Sequence, residues 1–123
     1  MFEHEITILR DTFGRLLRRQ AHTNLVKLIH KTHPADIAVL FRYFTDEQQS
    51  KVFMLMREDE HTAEFLVELD DTLLSNLLQD ETPERISGLI EHASANDQSY
   101  ILGTLEKNQA QSVIDLLKTE EQV

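Results

Sequence analysis

Adjacent pairs of large apolar residues recur along the chain: Leu16-Leu17, Leu28-Ile29, Leu40-Phe41, Val52-Phe53, Phe65-Leu66, Leu77-Leu78, Leu89-Ile90, Ile101-Leu102 and Val113-Ile114. Each step is twelve residues, apart from one of thirteen between Val52 and Phe65. Further apolar residues fall three or four positions away, such as Ile37 and Phe44 about Leu40-Phe41, and Ile86 and Ala93 about Leu89-Ile90. That is the period of a helix face, not of a strand. Helix-start signals lie between the pairs: His33-Pro34-Ala35-Asp36, Thr45-Asp46-Glu47-Gln48, Thr82-Pro83-Glu84-Arg85 and Asn96-Asp97. Thr82 suits a cap and Pro83 the first helical position. Twelve residues hold a helix of about eight to ten plus a tight link, so each helix spans roughly 12 to 15 Å.

Helices this short need neighbours to cover their apolar faces. The pattern therefore predicts an all-α fold, a superhelical solenoid of about nine short helices in hairpins of about 24 residues, its hand left open. Each doublet is expected to pack into the core. The first stretch, residues 1–22, reads as a longer amphipathic helix. Ile6, Leu9, Phe13, Leu16 and Leu17 form its apolar stripe, and Arg10, Arg15, Arg18 and Arg19 lie elsewhere on its surface. Residues 23–123 then form the helical repeat of what is expected to be one domain overall.

Charge changes this picture more than composition does. The net charge of −10 hides a split after Arg57: residues 1–57 carry nine Lys or Arg against six Asp or Glu, and residues 58–123 carry three against sixteen. A dense acidic field repels nucleic acid and anionic lipid while attracting cations and basic proteins. The acidic half is thus a poor nucleic-acid binder. Apolar runs are only a few residues long, far short of the roughly 20 that cross a bilayer, so no membrane insertion of this segment is expected. Nothing at Met1-Phe2-Glu3-His4-Glu5 resembles an export signal.

Enzymatic chemistry finds little footing. The chain has no cysteine and no Gly-x-Ser-x-Gly turn, and Gly14, Gly88 and Gly103 are isolated within helical stretches, unlike a phosphate loop. Gly88 and Gly103 are expected to permit close helix contact. Of six histidines only His30 and His33 are near neighbours, and both suit helix ends better than zinc. Carboxylates are the remaining candidates, because Mg²⁺ prefers oxygen ligands and keeps several waters. Glu58-Asp59-Glu60 is expected in a link, with Glu64 and Glu68 one turn apart on a helix, where like charges repel and a cation would relieve them.

The run His33-Pro34-Ala35-Asp36-Ile37-Ala38-Val39-Leu40, followed by Thr45 to Gln48, Lys51-Val52-Phe53, Thr62-Ala63-Glu64-Phe65-Leu66 and Thr82 to Arg85, resembles the cytosolic N-terminal domain of MgtE-type magnesium transporters. The resemblance covers about Leu25 to Leu117. The flagellar motor switch protein FliG is similar in its short stacked helices but matches less well. The resemblance implies a Mg²⁺-responsive module at the inner face of the cell membrane. It would dock through Mg²⁺ on a pair of CBS domains of the same transporter, which also supplies a membrane pore and pairs as a homodimer. It also implies metal ligands at Glu64 and Asp97. Asn96 and Tyr100 stand where the family carries further acids, so fewer ions are implied here. The chain is expected to be a piece of such a transporter. The alternative is a free-standing helical-repeat scaffold that binds another protein, as FliG does.

Overall fold

A computed structural model describes residues 3–121, and side chains over 4–118. Among the described residues the fold is all-α: α1 (Glu3–Arg18), α2 (His22–Lys31), α3 (Pro34–Phe41), α4 (Asp46–Met54), α5 (Glu60–Val67), α6 (Asp71–Leu78), α7 (Pro83–Ile90), α8 (Ala95–Leu102) and α9 (Lys107–Glu121). Nine helices on a twelve-residue period agree with the helical-repeat class read from the doublets. The chain divides into two compact units, Met1–Met56 and Arg57–Val123. The first carries eight Lys or Arg against six Asp or Glu, the second four against sixteen. Charge thus changes where the packing unit changes.

Local chemistry explains why such short helices start where they do. The His33 ring accepts from the Ala35 amide, with Pro34 at the first helical position of α3. Thr45 and Gln48 form a reciprocal capping box on α4. Asp59, Asp70, Thr82 and Ser94 cap α5, α6, α7 and α8, each accepting from the backbone three residues on. A side-chain cap at such a start contributes about 0.5 to 2 kcal/mol. Two expectations shift. The cap of α8 is Ser94, so that helix opens before Asn96-Asp97. Glu60 opens α5 instead of lying in the link, because Asp59 takes the capping position.

The helices end without left-handed glycines. Three consecutive amides after α3 fold back on carbonyls three residues earlier, Arg42 to Val39, Tyr43 to Leu40 and Phe44 to Phe41. Such bonds tighten the last turn and satisfy part of its orphan acceptors. Glutamine amides supply more. Gln49 donates to the Phe41 carbonyl at 2.8 Å, and Gln98 donates to the Ile90 carbonyl at 2.9 Å from the equivalent place in the repeat. Gln109 does the same for Leu78, 31 residues away.

In the first unit α1 packs on α2 and α3, and Phe13, Phe41 and Phe44 form an aromatic cluster with centroids 5.6 to 5.8 Å apart. In the second unit α7 packs on α5 and α9, so helices 24 residues apart meet, and α5 also meets α8. Both members of the doublets from Leu40-Phe41 to Leu89-Ile90 are buried. The outer doublets depart from expectation. Leu17, Ile29, Ile101 and Val113 are buried, but Leu16, Leu28, Leu102 and Ile114 are only half-covered.

Two buried positions on the described helices are polar, Thr62 and Ser87; Thr62 donates to Asp59, whereas Ser87 on α7 is 1% exposed and its hydroxyl has no hydrogen-bond partner. An unsatisfied buried hydroxyl costs about 1 to 3 kcal/mol, and alanine is the better helix former. Ser87→Ala is therefore expected to raise unfolding stability by about 1 kcal/mol, read as a higher urea midpoint at unchanged slope. A lower midpoint would show that the hydroxyl is satisfied in solution.

Candidate functional site

The acidic second unit holds both residues that the family resemblance implies as metal ligands. Glu64 projects from α5 and is exposed; Asp97 lies in the first turn of α8 and is half-buried. The packing of α5 on α8 brings their helices together. Among the described residues, however, no three His, Cys, Asp or Glu side chains converge to hold a metal ion. Any ion held by Glu64 or Asp97 would take its other ligands from water or from a second surface.

Several other acids are already engaged by the fold. Asp59 and Asp70 are helix caps, and Glu106 accepts from the Asn108 and Gln109 amides at the start of α9. Arg85 lies 3.4 Å from Glu81 and 3.7 Å from Glu58. Gly88 allows the Glu58 side chain to lie against α7, where a β-carbon would overlap its carboxylate. The expected close approach at Gly88 is thus to a side chain, not to another helix. Gly103 differs again: it is the C-cap of α8, and a β-carbon there would meet only the carbonyls of its own helix.

Tyr100, which stands where the family resemblance places an acid, has a defined partner. Its hydroxyl lies 2.7 Å from the Leu69 carbonyl oxygen and 2.9 Å from Asp71 Oδ1, one proton serving both acceptors. Desolvation, the hydrogen bond to Asp71 and the negative charges of Asp71 and Asp70 all push the phenol up from its ordinary 10.0. Tyr100 therefore ties α8 to the start of α6 and occupies one oxygen of Asp71. Beside it, Asp71, Thr72, Ser75, Asn76 and Thr104 line an open cleft of about 330 Å³. One carboxylate among neutral oxygens is a weak set for a dehydrated Mg²⁺, which a hydrated ion would suit better. Neither Glu64 nor Asp97 lines this cleft. Sequence reasoning missed the Tyr100–Asp71 pair, since 29 residues separate its members.

Tyr100→Phe removes this tie and is expected to lower stability by about 0.5 to 1.5 kcal/mol. The pH dependence has a definite sign. The unfolded phenol releases its proton near 10.0 while the folded one retains it, so stability falls as pH rises above 10.0. Urea midpoints across the alkaline range should show this fall in the parent and a shallower one in Tyr100→Phe. Identical slopes would remove Tyr100 as its source.

Within this architecture the chain matches the family model described as the MgtE intracellular N domain over residues 32–123. The match takes in α3 to α9, and α1 and α2 precede it. No curated protein and no solved structure matches the chain. Among the described residues, no helix is long and apolar enough to cross a membrane. With three quarters of its length in that match, the chain belongs to the MgtE intracellular N domain family, a domain of magnesium transporters.

Proposed function

We propose that this chain is the cytosolic regulatory domain of a magnesium transporter, docking on that transporter's CBS domains with Mg²⁺ between the acidic surfaces. The observation that carries the reading is the segregation of charge. Sixteen of the 22 acidic residues lie in one packing unit with four Lys or Arg. Such a surface repels another acidic surface until cations neutralise it, which makes docking depend on ion concentration.

The donor chemistry supports Mg²⁺ as that cation. Mg²⁺ dehydrates reluctantly and commonly binds through one or two carboxylates with waters completing the shell. Glu64 and Asp97 would each contribute a carboxylate. The lack of a three-ligand cluster among the described residues accords with a shared site that needs a partner surface. The bound ion would supply neutralising charge only. The domain's own part is to hold the carboxylates outward on short, capped helices.

Binding between this chain and the CBS pair of the same transporter tests the reading, measured by calorimetry in Mg²⁺ and in NaCl of matched ionic strength. Association is expected in Mg²⁺ alone. Glu64→Ala and Asp97→Ala should each weaken it about tenfold, the equivalent of about 1.4 kcal/mol. Equal association in both salts would exclude a Mg²⁺-dependent interface. Indifference to both substitutions would remove Glu64 and Asp97 from it.

A further inference from the structure

The first unit contains a built feature of opposite character. Arg10, Gly14 and Arg18 follow one another at steps of four along α1, so they share a helix face. With Asp11, Tyr43 and Gln48 they line a cleft of about 300 Å³. The Arg10 guanidinium lies 4.7 Å from the centroid of the Tyr43 ring, which holds it over that side of the cleft. Neither Arg10 nor Arg18 makes an ion pair among the described residues. The side-chain oxygen of Gln48 is used by the capping box, which leaves its NH₂ group as the donor this lining residue has to offer.

Gly14 gives this arrangement its shape. Glycine inside a helix is unfavourable relative to alanine, so its place between two arginines calls for a local reason. A β-carbon at Gly14 would sit 3.3 Å from a terminal nitrogen of Arg18. The missing side chain lets a terminal nitrogen of Arg18 lie close against α1 at this point. Asp11 adds one acceptor, so the lining has two cations and one anion.

We infer that this cleft binds a phosphate ester of a small polyol, with Arg10, Arg18 and the Gln48 amide on the phosphoryl oxygens and Asp11 accepting from a hydroxyl. Guanidinium groups donate to phosphate through paired N–H bonds, the strongest neutral-pH recognition open to such a site. A bare anion would leave Asp11 repelled, whereas a hydroxyl-bearing ester satisfies it. Glycerol phosphate has this chemistry, both as a free metabolite and as the headgroup of phosphatidylglycerol. The matched family residues begin at 32, so the α1 side of the cleft lies outside them.

The test uses the full chain, with glycerol 3-phosphate titrated by calorimetry at fixed ionic strength and phosphatidylglycerol-containing vesicles assayed by co-sedimentation against phosphatidylcholine alone. Saturable binding is expected to at least one, and the arm that responds identifies the source. Arg18→Ala should weaken it about tenfold or more. Arg15→Ala, which removes the same charge from outside the cleft, should leave it within about twofold. Gly14→Ala should weaken binding severalfold without lowering the melting temperature, because it displaces Arg18 and favours the helix. Equal losses in Arg15→Ala and Arg18→Ala would reduce the effect to general charge attraction and overturn the site. Failure of both ligands to bind the parent chain would overturn it as well.

Discussion

An eight-residue α-helix leaves its first four N–H and last four C=O groups without partners inside the helix, half of its backbone polar groups. Most helices of this chain are eight or nine residues long, so the whole fold depends on satisfying those ends. Side chains do it at the starts of α3 to α8, and glutamine amides and tightened turns do it at the ends. With ends satisfied, one apolar doublet per helix, both members buried from α3 to α7, holds these elements to their neighbours. Leu40-Phe41, Phe65-Leu66 and Leu89-Ile90 supply this with almost no exposure.

That constraint also decides which charges remain for function. Asp59, Asp70 and Glu106 belong to helix starts, Glu58 and Glu81 face Arg85, and Asp71 accepts from Tyr100. The formal acidity of the second unit therefore overstates the carboxylates open to a cation. Glu64 stands on the solvent side of a helix whose Ala63, Phe65 and Leu66 are buried, and the repeat itself turns it outward. Folding and ion attraction draw on the same residue types in one sequence, and the caps draw first.

What could be read from the chain alone follows interaction range. The doublets, the His33 and Thr82 caps and the Thr45–Gln48 box all act within a turn or one link, so residue order exposes them. Ser94 was hidden by the more conspicuous Asn96-Asp97, although its hydroxyl is the group that reaches the Asp97 amide. The bonds from Gln109 to Leu78 and from Tyr100 to Asp71 span about thirty residues and exist only once alternate helices have packed. Half-exposure of Leu16 and Ile114 depends likewise on tertiary packing, which their apolar identity does not encode. Family resemblance pointed to Glu64 and Asp97, but cleft geometry around Arg18 required coordinates.

Gly14 and Gly88 apply the same physical device to opposite charges. Each sits inside a helix, where it weakens the backbone, and each lets a charged side chain lie directly against that helix: Arg18 over Gly14, Glu58 over Gly88. The difference lies in what completes the charge. Glu58 meets Arg85 within its own unit, so its contact with α7 at Gly88 is part of an internal ion pair. Arg18 meets no carboxylate at ion-pair distance among the described residues and opens onto a cleft. A helix weakened for a charge that is neutralised internally serves packing. A helix weakened for a charge that stays open is arranged for a ligand from outside, and this contrast separates the two glycines, of which Gly88 faces a residue from outside its helix and Gly14 one from its own.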